Sequence, residues 1–317
     1  MEILAPDYYE EFKCIAGECR HSCCIGWEID IDSKTAAKYK KIHGDLGEKL
    51  NKSIVYENDG TVHFRLGKDE RCPMLNSDGL CEIILELGES ELCQVCNDHP
   101  RFRNFYSHRT EIGLGLCCEA AAKLILGKRD KVKLVRLKDG NEQKNCNYEE
   151  TEFFKIREKV FAILQERSKS VEDRVNAMLD MFGAQMILKS PLEWVKVFSG
   201  LEQLDEKWGE CIFKLTLADK SVFDSPLPDY LQIPFEQLSV YFAYRHFALY
   251  FDGYDFPKIA LFISLSLNIV KWLCLLEIGD KGYIDLDGLA NFARMYSAEI
   301  EYSDENIYKL QEMLAEE

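Results

Sequence analysis

The chain lacks an excess of basic charge, a long uninterrupted apolar run, an internal repeat and any low-complexity tract, and its opening residues show no basic stretch followed by an apolar one. Each absence excludes something. With 39 Lys and Arg against 55 Asp and Glu, the formal charge is −16, which argues against nucleic acid, because phosphate binding needs a basic surface. The same charge suits partners or substrates that carry positive charge, lysine-bearing proteins among them, and it also serves solubility. The opening MEILAPDYYEEFKC has no basic stretch followed by an apolar one, so no secretory signal is expected there and the expected location is the cytoplasm. The most apolar segment, Ile259 to Val270, is interrupted by Ser264, Ser266 and Asn268 and then meets Lys271. About 20 apolar residues are needed to span a bilayer, so this segment reads as a buried helix.

What remains is an ordinary globular composition, 47% hydrophobic and 30% charged over 317 residues, enough for one large or two modest domains. Thirteen cysteines are the informative number. Without an export signal they are expected as reduced thiols, which points to metal binding or catalysis and away from a disulfide framework. Ten fall in the first 118 residues, whereas Cys146, Cys211 and Cys274 stand alone later, and Cys274 sits in the apolar run as a core residue.

The expected fold class is α+β, mainly α. Residues 1–127 read as a small irregular cysteine-rich metal domain of short strands and helices. Residues 128–147, with the basic run Lys128 to Lys138, read as a linker, and 148–317 as an all-helical domain. In the first part Ser33 is placed to cap a helix running to about His43. Val55-Tyr56, Asn58-Asp59-Gly60 and Thr61 to Leu66 read as a β-hairpin. Cys72-Pro73 and Asn76 to Gly79 mark turns. In the second part about seven amphipathic helices are expected. Ser170 with Asp173 and Ser190-Pro191 with Glu193 give N-terminal signals, and Gly253 gives a stop. The aromatic stripe Tyr241, Phe242, Tyr244, Phe247, Tyr250 and Phe251 is read as core.

The ten early cysteines are Cys14, Cys19, Cys23, Cys24, Cys72, Cys81, Cys93, Cys96, Cys117 and Cys118. Cys93-x2-Cys96 is the spacing at which one tight turn aims two thiolates at a single metal, in zinc and iron–sulfur sites alike. The vicinal pairs do not close easily as ordinary disulfides, since neighbouring Cα atoms lie about 3.8 Å apart and normal bridges need roughly 4.4 Å or more. The two side chains of each pair are therefore expected to diverge. One thiolate per pair leaves eight positions, enough for two four-cysteine sites or for one with structural remainder. Thiolate count does not choose between an iron–sulfur cluster, 4Fe–4S in type, and zinc. His21, His63, His99 and His108 lie among the cysteines. His99, Arg101 and Arg103, clustered after Cys96, are candidate catalytic residues: one arginine to grip a carboxylate and His99 to lie near the metal. Their alternative role is support for the metal ligands. Two familiar motifs fail. Cys19-x3-Cys23 is followed by Gly26 where a radical S-adenosylmethionine motif needs cysteine. Glu111 to Cys117 lacks the third glycine of a dinucleotide fingerprint and is read as opening no strand–turn–helix.

The run Cys72-Pro-Met-Leu to Gly79-Leu-Cys81-Glu-Ile, followed by Cys96 and His99-Pro100, resembles a cysteine-rich zinc- or iron-chelating domain. Met74 stands where that domain usually has phenylalanine. PDYYEEFKCIAGECRHSCCIGWEIDID, HPRFRNF, RTEIGLGLCCEAA and the later YFAYRHF are similar to the flagellin lysine-N-methylase family, closely to about residue 127 and more loosely beyond. The resemblance implies iron–sulfur-dependent methyl transfer from S-adenosylmethionine to flagellin lysines, with metal ligands among the ten cysteines. An iron–sulfur redox or electron-transfer protein and a zinc-stapled binding scaffold are the alternatives. Such methyl transfer needs a neutral lysine amine, whose ordinary pKa is about 10.4, lined up with the sulfonium methyl.

Overall fold

The computed structural model describes residues 1–139, 147–184 and 190–314. Among these are six strands: β1 (Glu2–Pro6), β2 (Ile54–Tyr56), β3 (Val62–Phe64), β4 (Arg101–Phe105), β5 (Arg109–Leu114) and β6 (Leu134–Lys138). Five helices lie in the first part: α1 (Ser33–Tyr39), α2 (Gly44–Ser53), α3 (Glu82–Leu87), α4 (Gln94–Asp98) and α5 (Glu119–Gly127). Nine follow: α6 (Tyr148–Leu164), α7 (Val171–Met181), α8 (Pro191–Ser199), α9 (Glu206–Thr216), α10 (Lys220–Asp224), α11 (Gln232–His246), α12 (Phe256–Lys281), α13 (Leu286–Tyr296) and α14 (Asp304–Met313). The class is α+β and mainly α, as expected.

Contacts divide the chain into two units. One comprises Met1–Phe12, Arg103–Cys117 and Ala121–Glu317, and the other Lys13–Phe102 with Cys118–Ala120. The boundary expected at residue 127 follows composition, whereas the packing follows strand pairing. A sheet in the order β4-β5-β1-β6 pairs β1 parallel to β5 and antiparallel to β6, so the first residues join the helical unit. Half of the basic run expected as a linker is strand β6, and residues 140–146 lie outside the described residues. The Glu111 to Cys117 segment does form strand–turn–helix, with β5 leading through Cys117-Cys118 into α5. It departs from the dinucleotide fold in placing two cysteines in the turn.

In the helical unit the capping signals act as expected. Ser190 and Glu193 close a capping box, and Ser170 accepts the Asp173 N–H. Helix α12 runs 26 residues, longer than the apolar segment suggested. Its apolar window has a mean hydropathy of 2.1, so length and composition alone would permit a membrane span, but 83% of that window is buried inside the protein. Three buried carboxylates tie the unit together. Glu111 on β5 takes two hydrogen bonds of 2.7 Å from Arg157 on α6, in the bidentate geometry that makes arginine–carboxylate pairs strong, and a further contact at 2.6 Å from Arg109. Glu236 on α11 is held by Arg167 and Arg174. Glu301 takes Arg245, His246 and the Tyr241 hydroxyl.

Glu301 closes a π-turn, Ser297–Glu301, that continues directly from α13. The same turn carries Glu299, which accepts the backbone N–H groups of Leu204 at 2.7 Å and Asp205 at 3.1 Å. Burial outweighs those hydrogen bonds and, with Asp205 and Glu202 nearby, pushes the Glu299 carboxyl from its ordinary 4.5 up to about 7. A raised pKa means that this group favours the fold below pH 4.5 and that its contribution is lost as pH rises through 7. Glu299→Gln should therefore flatten the fall in urea midpoint between pH 5 and pH 8, a difference of up to about 3 kcal/mol at 1.36 kcal/mol per unit. Parallel pH profiles for the two proteins would show that Glu299 does not titrate in this window.

Candidate functional site

The unit formed by Lys13–Phe102 and Cys118–Ala120 is built from short elements around a small core that includes Ile29, Tyr39, Leu50, Phe64, Met74 and Ile83. Cys72 and Cys93 are buried in that core, and Cys24, Cys81 and Cys96 pack against it. Local sequence chemistry explains their convergence. The Cys72 N–H donates to the Cys24 carbonyl at 2.8 Å, joining two segments distant in sequence. The chain then turns because the Asn76 side chain accepts the N–H groups of Asp78 and Leu80, with Gly79 at φ 74°. This returns Cys81 to the same core at the start of α3. Cys93 caps α4, and Cys96 lies one turn along it. Asp32 fixes that helix in place: it caps α1 by accepting the Thr35 N–H and also accepts the Gln94 N–H. Ser33, read as the cap, is the first helical residue instead, and α1 ends at Tyr39 because α2 begins afresh after His43.

The thiols of this group lie within electrostatic reach of one another. Burial, and then the charges of Cys24, Cys81 and Cys93, push the Cys72 thiol up to about 12. Cys81 is raised for the same reasons, chiefly burial. Within the Cys93–Cys96 pair a shared hydrogen bond lowers Cys93 and raises Cys96. Cys23 and Cys24 share another, which brings Cys24 down to about 7 and raises Cys23. That vicinal pair was expected to diverge. It does not, because a tight turn closed by the Ile25 N–H on the Ser22 carbonyl turns both thiols the same way.

A second grouping forms around the loop 14–24. Cys14 and Cys118 both act on the charge of Cys23. The Cys19 thiol lies 3.9 Å from Glu119, which also receives the Arg20 side chain at 2.7 and 2.9 Å and the Arg20 N–H at 3.0 Å. Glu119 is 5% exposed, so a buried carboxylate anchors the loop beside Cys118. Gly17 is required here: a Cβ would meet the Asp78 carbonyl oxygen at 2.8 Å, so the loop can lie against the 76–80 turn only with glycine. Arg20, Glu119 and Gly17 were not singled out from sequence, since nothing local distinguishes them from surface residues.

Cys117 has different company from its neighbour Cys118. It hydrogen-bonds Tyr302 and lies within charge range of Arg245. The aromatic stripe read as core is core, but its polar tips are occupied. The Tyr241 hydroxyl receives the Leu116 N–H and donates to Glu301, and the Tyr244 hydroxyl donates to the Ile112 carbonyl. Burial would raise Glu301, yet Arg245 and His246 bring it to about 2. The signal was present in the YFAYRHF string, whose Arg245 and His246 need a buried anion.

The candidate residues after Cys96 separate. His99 ends α4 with its ring 5.6 Å from that of Trp27, and burial together with Arg101 lowers its pKa to about 4. Arg101 donates to the Asn97 carbonyl, and Arg103 is exposed on β4. His63 meets Glu57 and Glu28, and His108 meets Glu150. Twelve cysteines are free thiols, while Cys146 lies outside the described residues. Among the described residues, no group of three or more His, Cys, Asp or Glu side chains stands in a metal-holding arrangement.

Comparison with known proteins bears on the same sequence. Lysine-N-methylase of Salmonella typhimurium (strain LT2) is 29% identical over 140 residues, 42% of this chain and 34% of its own length. The lysine-N-methylase of Salmonella choleraesuis gives the same figures. The chain resembles the flagellin lysine-N-methylase family. Flagellar biosynthetic protein FliU of Salmonella muenchen is 28% identical over 140 residues, 42% of this chain and 81% of that protein. The chain thus spans about a third of the length of the lysine-N-methylases it matches. No family model and no solved structure matches.

Glu119→Ala should free the loop 14–24, because it leaves Arg20 and its backbone N–H without their shared acceptor. Alkylation resolved by mass spectrometry should then show Cys19 reacting several-fold faster while Cys72 and Cys274 stay protected. An unchanged Cys19 rate would show that Glu119 does not hold the loop.

Proposed function

We propose that this chain acts in lysine N-methylation of flagellin in the cytoplasm, with S-adenosylmethionine as methyl donor and an iron–sulfur cluster held by the cysteine-rich unit. The observation that carries the reading is the gathering of Cys24, Cys72, Cys81, Cys93 and Cys96 at one small core, in a chain similar to lysine-N-methylases. The donor chemistry fits. Soft thiolates suit iron–sulfur or zinc, and the protons now shared within the Cys93–Cys96 and Cys23–Cys24 pairs are those a metal displaces on binding. Cys72, Cys81, Cys93 and Cys96 would hold the cluster, with Cys24 as the fifth thiol at the same core. Held by those thiolates, the cluster would supply redox or Lewis-acid chemistry to the reaction.

The protein's own contribution is positioning. A chain with a formal charge of −16 draws lysine-bearing partners by steering. His99, whose pKa burial and Arg101 bring down to about 4, is neutral at ordinary pH and lies beside Trp27. Cys14, Cys19, Cys23 and Cys118 form the second thiol group, with Cys117 set apart beside Tyr302.

Two measurements test this separately. Anaerobically purified protein should be brown, absorb at about 400 nm as iron–sulfur thiolates do, and contain iron and sulfide. Cys93→Ser or Cys96→Ser should lose that metal and destabilise the first unit, while Cys274→Ala keeps it. A colourless protein with stoichiometric zinc sinks the iron–sulfur assignment. Purified flagellin, labelled S-adenosylmethionine, reductant and the intact protein should give label on lysine. No label under those conditions counts against methyl transfer.

A further inference from the structure

Helix α12 is apolar along nearly its whole length, yet Ser264, Asn268 and Lys271 repeat on it at the spacing of one helical face. That stripe is buried at Ser264 and half-buried at Asn268 and Lys271. It lines a cavity of about 200 Å³ opposite Val171, Glu172, Val175 and Asn176 of α7, with Leu227 and Phe235 completing the wall. Polar side chains turned toward a core cost stability unless they are satisfied. The Ser264 hydroxyl, on a residue only 4% exposed, and the amides of Asn176 and Asn268 line this cavity.

The charges in the cavity are one acid and one base. Lys271 Nζ donates to Glu172 Oε1 at 2.9 Å, and the same oxygen accepts the Leu227 N–H at 2.8 Å. This leaves Glu172 Oε2 and two of the three lysine N–H groups for another molecule. A ligand with only an amine or only a carboxylate meets one of these two remaining sets of hydrogen-bonding positions and leaves the other unused. A ligand carrying both satisfies both, and the asparagine amides and serine hydroxyl supply the remaining hydrogen bonds. The apolar wall of Val175, Leu227, Phe235 and Leu267 then takes an apolar side chain. The volume is below the roughly 300 Å³ at which drug-sized pockets begin and above the ~30 Å³ of a single water, which suits a molecule of amino-acid size.

We propose that the cleft between α7 and α12 binds an α-amino carboxylate group bearing a short apolar chain, held between Glu172 and Lys271. A free amino acid such as leucine or methionine offers this group, and so does the amino-carboxylate end of S-adenosylmethionine. The first source is independent of the proposed methyl transfer, and the second rests on it.

Calorimetric titration of the full chain distinguishes the sources. The separate arms are L-leucine, L-methionine, S-adenosylmethionine, isoamylamine and isovalerate. The α-amino carboxylates should bind, and the amine-only and acid-only analogues should bind at least about tenfold more weakly. The double variant Glu172→Gln with Lys271→Met removes both charges together, so neither is left unpaired. Asn268→Leu fills the cavity with apolar atoms and should keep or raise the melting temperature. Both should abolish binding. Binding of S-adenosylmethionine alone, lost in the same variants, supports the site and assigns it to the methyl donor. If no α-amino carboxylate binds, or both variants bind as well as the unaltered chain, the proposal is overturned and the cleft is a solvent-filled gap between helices. No flagellin is present in the titration, so failure of methyl transfer leaves this result intact.

Discussion

The bidentate pair between Glu111 and Arg157 is the interaction on which the helical unit depends. Both side chains are essentially inaccessible to water, and leaving a buried charge unpaired costs about 3–5 kcal/mol. The pair fixes β5 to α6, and β5 is the central connection of the fold. It pairs with β1 on one side and is followed directly by the turn that carries Cys117 and Cys118. Tyr244 and Tyr241 of α11 then secure the Ile112 carbonyl and the Leu116 N–H. The strand that delivers the vicinal cysteines is thus held by a charge pair at its centre and by two phenols at its end.

The cysteine-rich unit is stabilised by different means. Its helices are short, from five to ten residues, and elements of that length have little stability of their own. Side-chain caps and turns hold them: Asp32 serves α1 and α4 together, Asn76 closes the turn between Cys72 and Cys81, and Glu119 secures the loop 14–24. Five thiols share the resulting core. A core in which several thiols raise one another's pKa is poorly optimised as hydrocarbon packing.

The helical unit shows how far a local reading reaches. The capping box at Ser190, the hairpin about Asn58-Asp59-Gly60 and the stop at Gly253 were legible because each depends on residues within a turn of one another. The strands β1 and β6 were not, because their pairing joins residues over a hundred positions apart. The same holds for Glu119 and Arg20, which look like surface charges until the loop 14–24 folds against α5. The π-turn at Ser297–Glu301 also escaped, since the helical pattern continues through it. Its deviation places Glu299 and Glu301 on two different buried networks, one gripping the 202–205 segment and one gripping Arg245 and His246.

Composition and spacing alone determined that the chain is mainly helical, acidic and thiol-rich, and that Cys93 and Cys96 share one turn. Those properties are local or additive, so they survive without any knowledge of the fold. Which thiols meet was decided by tertiary structure. Cys24 joins Cys72 through a backbone hydrogen bond, Cys118 joins Cys23, and Cys117 turns to Tyr302 instead. The cleft beside Lys271 is likewise a product of helix packing, because Glu172 and Lys271 are separated by 99 positions and meet only when α7 lies against α12. Long-range pairing costs chain entropy that only the complete core can offset, and no window of sequence contains that core.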